Sequence, residues 1–426
     1  MAKKPGEFKP FSIGKIPKDW EVKRLREVFE IVTGTTPSTK NNEFWDPPEI
    51  NWITPIDLSL QRNQPFIVSS QRRISQKGVR NCCLTVIPEN SIILSTRAPV
   101  GYVALVKAPT TFNQGCKGLI PRKQVDPLFY VYYFKKQKPL LELISGGSTF
   151  KELAKQTLEN LWILLPPLPE QRRIAEILRT VDEGIEKVEQ EIEHTERLKK
   201  ALMQRLLTRG IGHKEFKDSP IGKIPKDWKV VRLGEICQLE RGRFAHRPRN
   251  DPNLYGGDIP FIQTGDIAES NGIIKNYKQT LNAKGLAVSK LFRAGTLVIS
   301  IAGNIGDVGI LGFDACFPDS IIGIKPDEQK AYSSFLLYML KKFQVQLSFA
   351  APRSTQRNIN LKILNHFLVP LPPLSEQKEI VKILLTVDRK LELLHHKKER
   401  LQKIKRGLMS DLLTGRKRVK VHHAEV

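Results

Sequence analysis

The sequence predicts a mixed α/β chain built as two tandem globular blocks, each closed by a long helix. Three observations predict it. A pair of motifs occurs twice, in the same order and at nearly the same spacing. Apolar runs of strand length recur inside each half. A helical apolar seam follows each copy of the second motif.

The chain carries 69 lysines and arginines against 44 acidic residues, a formal net charge of +25 over 426 residues. With 40% hydrophobic and 8% aromatic residues it can bury real cores, so a disordered chain is excluded. A length of this order implies two or three domains. No run of about 20 apolar residues is present to form a membrane-spanning helix. The start, Met1 to Glu7, is basic but leads into Phe8-Lys9-Pro10, unlike the apolar core of a secretory signal. Five cysteines without a Cys-x-x-Cys pair point to a reducing cytoplasm and away from zinc. The charge excess calls for a polyanionic partner, nucleic acid ahead of a membrane surface.

The opening motif, Ile13-Gly14-Lys15-Ile16-Pro17-Lys18-Asp19-Trp20, returns as Ile221-Gly222-Lys223-Ile224-Pro225-Lys226-Asp227-Trp228, offset by 208. The closing motif, Leu165-Pro166-Pro167-Leu168-Pro169-Glu170-Gln171, returns as Leu371-Pro372-Pro373-Leu374-Ser375-Glu376-Gln377, offset by 206. Such self-similarity makes half the chain one unit. Between the motifs, Ser91–Ser95 aligns with Thr296–Ser300 as a buried strand. Phe129–Lys136 aligns with Phe335–Lys342 as a short helix ending in paired lysines. The loops differ where the strands do not: Arg97-Ala98-Pro99 faces Ala302-Gly303-Asn304, and Asn113-Gln114 faces Pro318-Asp319. One frame holding two different readers is expected to vary in this way.

After the closing motif, Ile174, Leu178, Val181, Ile185, Val188 and Ile192 alternate by four and three, a heptad seam continued by Leu202 and Leu206. Ile380, Leu384, Val387, Leu391, Leu394, Leu401, Leu408 and Leu412 match it, with Lys398 and Lys405 as interruptions. Glu170 and Glu376 suit the positive end of each helix, and Ser375 is a candidate N-cap. Gly210 and Gly415 are candidate terminators. About 38 residues give a helix of roughly 57 Å. The simplest cover for two such seams is each other, as an antiparallel intramolecular coiled coil with pseudo-twofold symmetry. The alternatives are packing of each helix on its own block and a homodimer through the helices. The expected divisions are 7–167 and 221–373 for the blocks, 168–209 and 374–415 for the helices, 210–220 for a linker and 416–426 for a basic tail.

No phosphate-cradling or dinucleotide-binding glycine loop and no nucleophilic triad is visible, so the chain is expected to bind rather than catalyse. Two segments mimic enzymes. Asp46-Pro47-Pro48 resembles an adenine methyltransferase signature but is followed by Glu49 where an aromatic residue is needed, and reads as a turn. Asp319, Glu328 and Lys330 resemble a magnesium nuclease site, whose carboxylates belong on adjacent strands. Pro326-Asp327 would break the second strand, and the first repeat has Gln114 and Lys123 at the aligned positions.

Two variable blocks, each opened by Ile-Gly-x-Ile-Pro-x-x-Trp and closed by Leu-Pro-Pro-Leu-x-Glu-Gln before a long helix, resemble the specificity subunit of type I restriction–modification enzymes. The resemblance runs from about Glu7 to Gly415. Ser148-Thr149 and Ser354-Thr355-Gln356 also resemble the family's Ser-Thr-Gln segment, the first copy departing from it with Phe150. The resemblance implies two α/β target-recognition domains, each reading half of a split, asymmetric double-stranded DNA site, with the helices as a ruler between them. It implies two modification subunits carrying S-adenosylmethionine and two restriction subunits using ATP with magnesium, so that this chain holds no cofactor or metal. Half-sites reached from one face of the duplex would lie about 34–36 Å apart.

Residue types that read bases or hold phosphates suggest the DNA-binding candidates. They are Arg97, Asn113, Gln114, Ser148 and Thr149 in the first block. In the second they are Asn304, Arg353, Ser354, Gln356 and Arg357, with Arg241, Arg243 and Arg247 as a basic loop. A stand-alone sequence-specific or architectural DNA-binding protein is the competing reading, and a metal-dependent nuclease a third.

Overall fold

The computed structural model describes residues 8–11, 14–61, 64–146, 152–350 and 358–420. The chain forms two compact units, residues 1–190 with 396–426, and residues 191–395. Each unit therefore takes one globular block and part of both long helices.

In the first unit the central sheet is five-stranded. Its strands are β1 (Phe29–Thr33), β2 (Phe66–Ile67), β3 (Ile92–Ser95), β4 (Val103–Val106) and β5 (Cys116–Pro121), in the spatial order β1-β5-β3-β4-β2. All pairs are antiparallel except β4 with β2. Every residue of β3 and β4 is buried, as their unbroken apolar runs require. Helix α1 (Pro127–Leu143) is capped by Asp126, whose carboxylate accepts from the Phe129 N–H at 2.9 Å. Its first turns, Phe129 to Phe134, are wholly buried in the core shared by the sheet and by Ile174 and Leu178 of α2 (Leu168–Arg209).

The second unit repeats this frame. Strands β6 (Cys237–Arg241), β7 (Ile273–Ile274), β8 (Leu297–Ser300), β9 (Val308–Leu311) and β10 (Ile321–Pro326) stand in the order β6-β10-β8-β9-β7. Again only the last pair is parallel. Helix α3 (Ser333–Lys342) takes the place of α1, and Ile380 and Leu384 of α4 (Leu374–Leu412) enter the core.

The two repeated motifs meet in space. Residues Glu21–Arg24 pair with Trp162–Leu165, and Lys229–Arg232 with Leu368–Leu371. This sets Trp20 beside the start of α2, where its indole Nε1 donates to Glu170 Oε2 at 2.9 Å. Trp228 donates to Glu376 Oε2 at the same distance. Both indoles are buried, a transfer term of about 4–6 kcal/mol each. The neighbouring amides close the corner. Gln171 Oε1 accepts from the Asp126 N–H and its Nε2 donates to Pro166 O, while Gln377 does the same with the Tyr332 N–H and Pro372 O.

The helices pair antiparallel inside each unit. In the first, Lys405 Nζ meets Asp182 at 2.5 Å and Lys398 Nζ meets Glu189 at 2.8 Å, so seven residues forward on α2 match seven back on α4. In the second, Lys199 Nζ meets Asp388 at 2.5 Å. The apparent interruptions of the seam are thus its ion pairs. Asp182 also accepts from the Tyr132 hydroxyl at 2.8 Å, and Asp388 from the Tyr338 hydroxyl at 2.5 Å. Each unit holds one Tyr–Asp–Lys node joining block, one long helix and the other.

Several expectations are refined. The seam is not covered by the opposite helix alone. Ile174, Leu178, Leu412 and Leu413 lie in the first block's core, and Ile380, Leu384, Leu206 and Leu207 in the second's. Ser375 is not an N-cap, because α4 already begins at Leu374. The helix expected to end at Lys136 runs on through Pro139 to Leu143, whereas its counterpart stops at Lys342 and resumes as Gln344–Ala350. Gly210 and Gly415 do follow the long helices with φ of +63° and +70°, a conformation side chains disfavour. The start of the expected tail is docked: Arg418 bonds Glu170 and Asp19, and Val419 packs on the core.

Removing the Glu170 carboxylate leaves the Trp20 N–H buried without an acceptor and Arg418 with Asp19 as its remaining carboxylate partner. Glu170→Ala is expected to cost about 2–3 kcal/mol, read as a shift of the unfolding midpoint in denaturant; an unchanged midpoint would contradict the role given to this contact. A double-mutant cycle on Asp182 and Lys405 should return a coupling of roughly 0.5–3 kcal/mol. Strictly additive single effects would deny them a direct interaction.

Candidate nucleic-acid interface

Strand register gathers the variable loops at one end of each central sheet. In the first unit Thr33 lies opposite Lys117, Cys116 opposite Ser95, and Leu94 opposite Val103. The segments leaving these positions are therefore neighbours. Gly34 passes so close to the 112–113 backbone that a Cβ there would sit 2.2 Å from Asn113 O, so only glycine fits. Gly115 O accepts from the N–H groups of Thr96 and Arg97 at 2.8 and 3.2 Å. The structure thus brings the candidates Arg97, Asn113 and Gln114 together.

Their chemistry is unequal. Gln114 is exposed at the loop tip. Asn113 spends its Oδ1 on the Gly115 N–H at 3.0 Å and shapes the turn. Arg97 Nε pairs with Glu152 Oε1 at 3.0 Å, both about half exposed, which leaves donors for a ligand. Ser148 and Thr149 lie outside the described residues; Gly146 and Glu152, which flank them, exchange backbone hydrogen bonds of 3.1 and 2.9 Å.

The same end of the second sheet carries different side chains. Arg241 lies opposite Ile322 and Ser300 opposite Ile321, and Gly242 passes Pro318 O as Gly34 passes Asn113 O. Here Arg241 and Arg247 are gathered on Asp319. Arg241 Nε donates to its backbone carbonyl at 2.5 Å, and Arg247 lies 3.7 Å from its carboxylate. Arg243 is exposed and has no ion pair among the described residues. Asn304 is exposed in the adjoining loop, its carbonyl accepting from the Ser300 hydroxyl. Arg353, Ser354, Gln356 and Arg357 lie outside the described residues.

Sequence reasoning missed several contributors. Lys117 is buried on β5, and burial pushes its ammonium below the usual range while Glu152 opposes the shift. A lone lysine in an apolar strand run was the available signal. Arg249 also grips Asp319, at 2.5 Å. In the first unit Trp52 and Trp45 fasten the loop after β1, donating to Thr35 O and Ser38 O at 3.1 and 3.0 Å, with Arg72 stacked 3.8 Å over Trp45. Burial pushes the thiols of Cys116, Cys237 and Cys316 up, so they pack as small apolar groups.

Neither enzyme-like segment has the required geometry. Asp46-Pro47-Pro48 lies in the turn between Asn42–Phe44 and the strand Ile50–Ile53. Asp319 and Glu328 stand at opposite ends of one strand, β10, rather than on adjacent strands, and its six residues span roughly 20 Å. Lys330 pairs with Asp327 at 3.0 Å instead. Among the described residues no group of three or more His, Cys, Asp or Glu is placed to hold a metal ion. None of their helices is long and apolar enough to cross a membrane.

The sequence profile of the type I restriction modification DNA specificity domain matches this chain twice, over residues 17–197 and 225–403. The type I restriction enzyme MjaIX specificity subunit of Methanocaldococcus jannaschii is 37% identical over 67% of this chain and 69% of its own length. A second protein of that organism, provisionally named as the MjaX specificity subunit, is 31% identical over 98% of both chains. A solved chain, described in work on complex assembly and conformational transition of the type I R-M system, superposes with a TM-score of 0.60 over 94% of this chain and 99% of its own. At 23% identity that likeness speaks for the fold.

Arg243 is exposed and has no ion pair among the described residues, so its guanidinium is available for a phosphate contact of the kind a DNA-binding role would need. Arg243→Ala should weaken binding to all duplex sequences alike and lower the slope of log K against log salt by about 0.9. A titration series in salt checks this; an altered sequence preference would assign Arg243 to base reading instead.

Proposed function

This chain belongs to the type I restriction modification DNA specificity family, matched once in each half. From that premise we propose that its two units read the two unlike halves of one interrupted duplex site. The chain is the DNA sequence-specificity subunit, with two recognition domains. One observation carries the finer reading: the same sheet end, closed by the same glycine approach, presents Thr33, Thr35, Arg97 and Gln114 in the first unit. The second presents Arg241, Arg243, Asn304 and Asp319. Equivalent positions with different donors and acceptors suit different base sequences, because base edges are distinguished by their donor and acceptor patterns. An asymmetric target follows.

In this reading the long helices, of 42 and 39 residues, set the unread spacer between the half-sites. The subunit acts within a cytoplasmic type I complex. Two modification subunits supply S-adenosylmethionine chemistry, and two restriction subunits supply ATP- and magnesium-dependent translocation and cleavage. This chain catalyses neither step and directs both. Support comes from the family membership and from side chains at both sheet ends suited to binding rather than to bond cleavage.

Modified-base sequencing of DNA from cells expressing this chain with its modification subunit should reveal adenine methylation at a two-part, non-palindromic motif. Methylation confined to a palindrome would overturn the assignment of different halves to the two units.

A further inference from the structure

The geometry points to a guanine-reading fork in the second unit: Arg249, tethered by Asp319, addresses a guanine edge in the half-site that this unit reads. The inference rests on the two-reader function proposed above and names a base and a residue for it.

Three arginines converge on one partly buried aspartate. Arg249 donates from one terminal amino group to Asp319 Oδ1 at 2.5 Å, and Arg247 approaches Oδ2 at 3.7 Å. Arg241 bonds the backbone carbonyl of the same residue. The three differ in what they have left to give. Arg247 spends its other amino group on the carbonyls of Phe244 and His246, at 2.7 and 2.8 Å. Arg241 uses its Nε. Arg249 commits one amino group only, remains 45% exposed along its side chain, and has its backbone fixed by the Tyr255 hydroxyl donating to its carbonyl. A guanidinium has five N–H donors, so most of its fork stays available.

A phosphate would be served poorly here. The Asp319 carboxylate neutralises Arg249 pairwise and repels an approaching anion, so a phosphate gains less at Arg249 than at Arg243. Base reading has the opposite requirement. Bidentate contact with guanine O6 and N7 needs a fixed guanidinium plane more than it needs net charge. An arginine tethered at one amino group, with its backbone held, has part of that ordering done before binding.

The first unit lacks the device. Thr33 and Thr35 stand where Arg241 and Arg243 stand in the second, and Gln114 aligns with Asp319. The guanine requirement is therefore confined to one half of the target.

The test uses the full chain with its modification subunit, and modified-base sequencing of host DNA. The parent motif should hold a fixed guanine in one half. Arg249→Lys keeps the charge but loses the fork, and should accept other bases at that position, lowering the guanine preference about tenfold or more while leaving the other half intact. Asp319→Asn should relax the same position to a smaller degree. Variants whose unfolding midpoint matches the parent remove misfolding as an explanation. Retained guanine preference in Arg249→Lys, or a parent motif in which neither half has a fixed G·C pair, overturns the fork. A parent complex that modifies no two-part motif overturns the underlying function, and the fork with it.

Discussion

Everything in each unit is referred to one buried corner, where a tryptophan indole donates to a glutamate at the start of a long helix. Trp20 with Glu170 and Trp228 with Glu376 make the same contact at the same distance. The glutamate sits at the helix N-terminus, where unpaired N–H groups favour an anion. Burying it is tolerable only because it is multiply bonded. In the first unit Arg418 supplies the remaining donors; in the second His213 Nε2 and the Ile211 N–H do so. The adjoining glutamine ties the loop before α1 or α3 to the chain entering the helix. Four elements thereby take their positions from two side chains, which explains why both motifs recur while the loops diverge.

Away from this corner the helix pairs trade some hydrophobic seam for charge. A leucine at position 405 or 398 would extend the apolar stripe but leave the axial register weakly specified. Lys405 against Asp182 admits one register, since a slip of one turn would leave both charges largely buried without partners. The Tyr132 hydroxyl on the same carboxylate extends that constraint to the globular block. The second unit repeats the node with Lys199, Asp388 and Tyr338, the two long helices having exchanged roles.

Much of this frame was legible in the sequence. The strands Ile92–Ser95 and Leu297–Ser300, both long helices and their terminating glycines follow from local pattern alone. What stayed hidden depends on partners distant in sequence. Nothing near Trp20 announces Glu170, 150 residues away, and nothing near Arg418 announces Asp19. Lys398 and Lys405 looked like flaws in the seam because their acids lie on the other helix. The same limit governed the candidate site. Arg97 and Gln114 could be nominated by type, but that Gly115 O ties their loops together is a tertiary fact. Arg249 was passed over because its distinction lies in Asp319, 70 residues on.

The division between frame and loops also bears on how such a chain could change its target. The corner contacts, nodes and glycine approaches fix where the loops begin and end without using any side chain at the tips. Substituting Gln114 or Asn304 disturbs no core residue, whereas Gly34 or Gly242 accepts no side chain without displacing a neighbouring carbonyl. Asp319 belongs to a middle class, partly buried and holding arginines in place. A change there alters the aim of several donors together, so its effect on sequence preference is coupled to theirs and not additive. The second unit should therefore be harder to retarget by single substitutions than the first, whose exposed threonines at the corresponding strand end carry no such shared anchor.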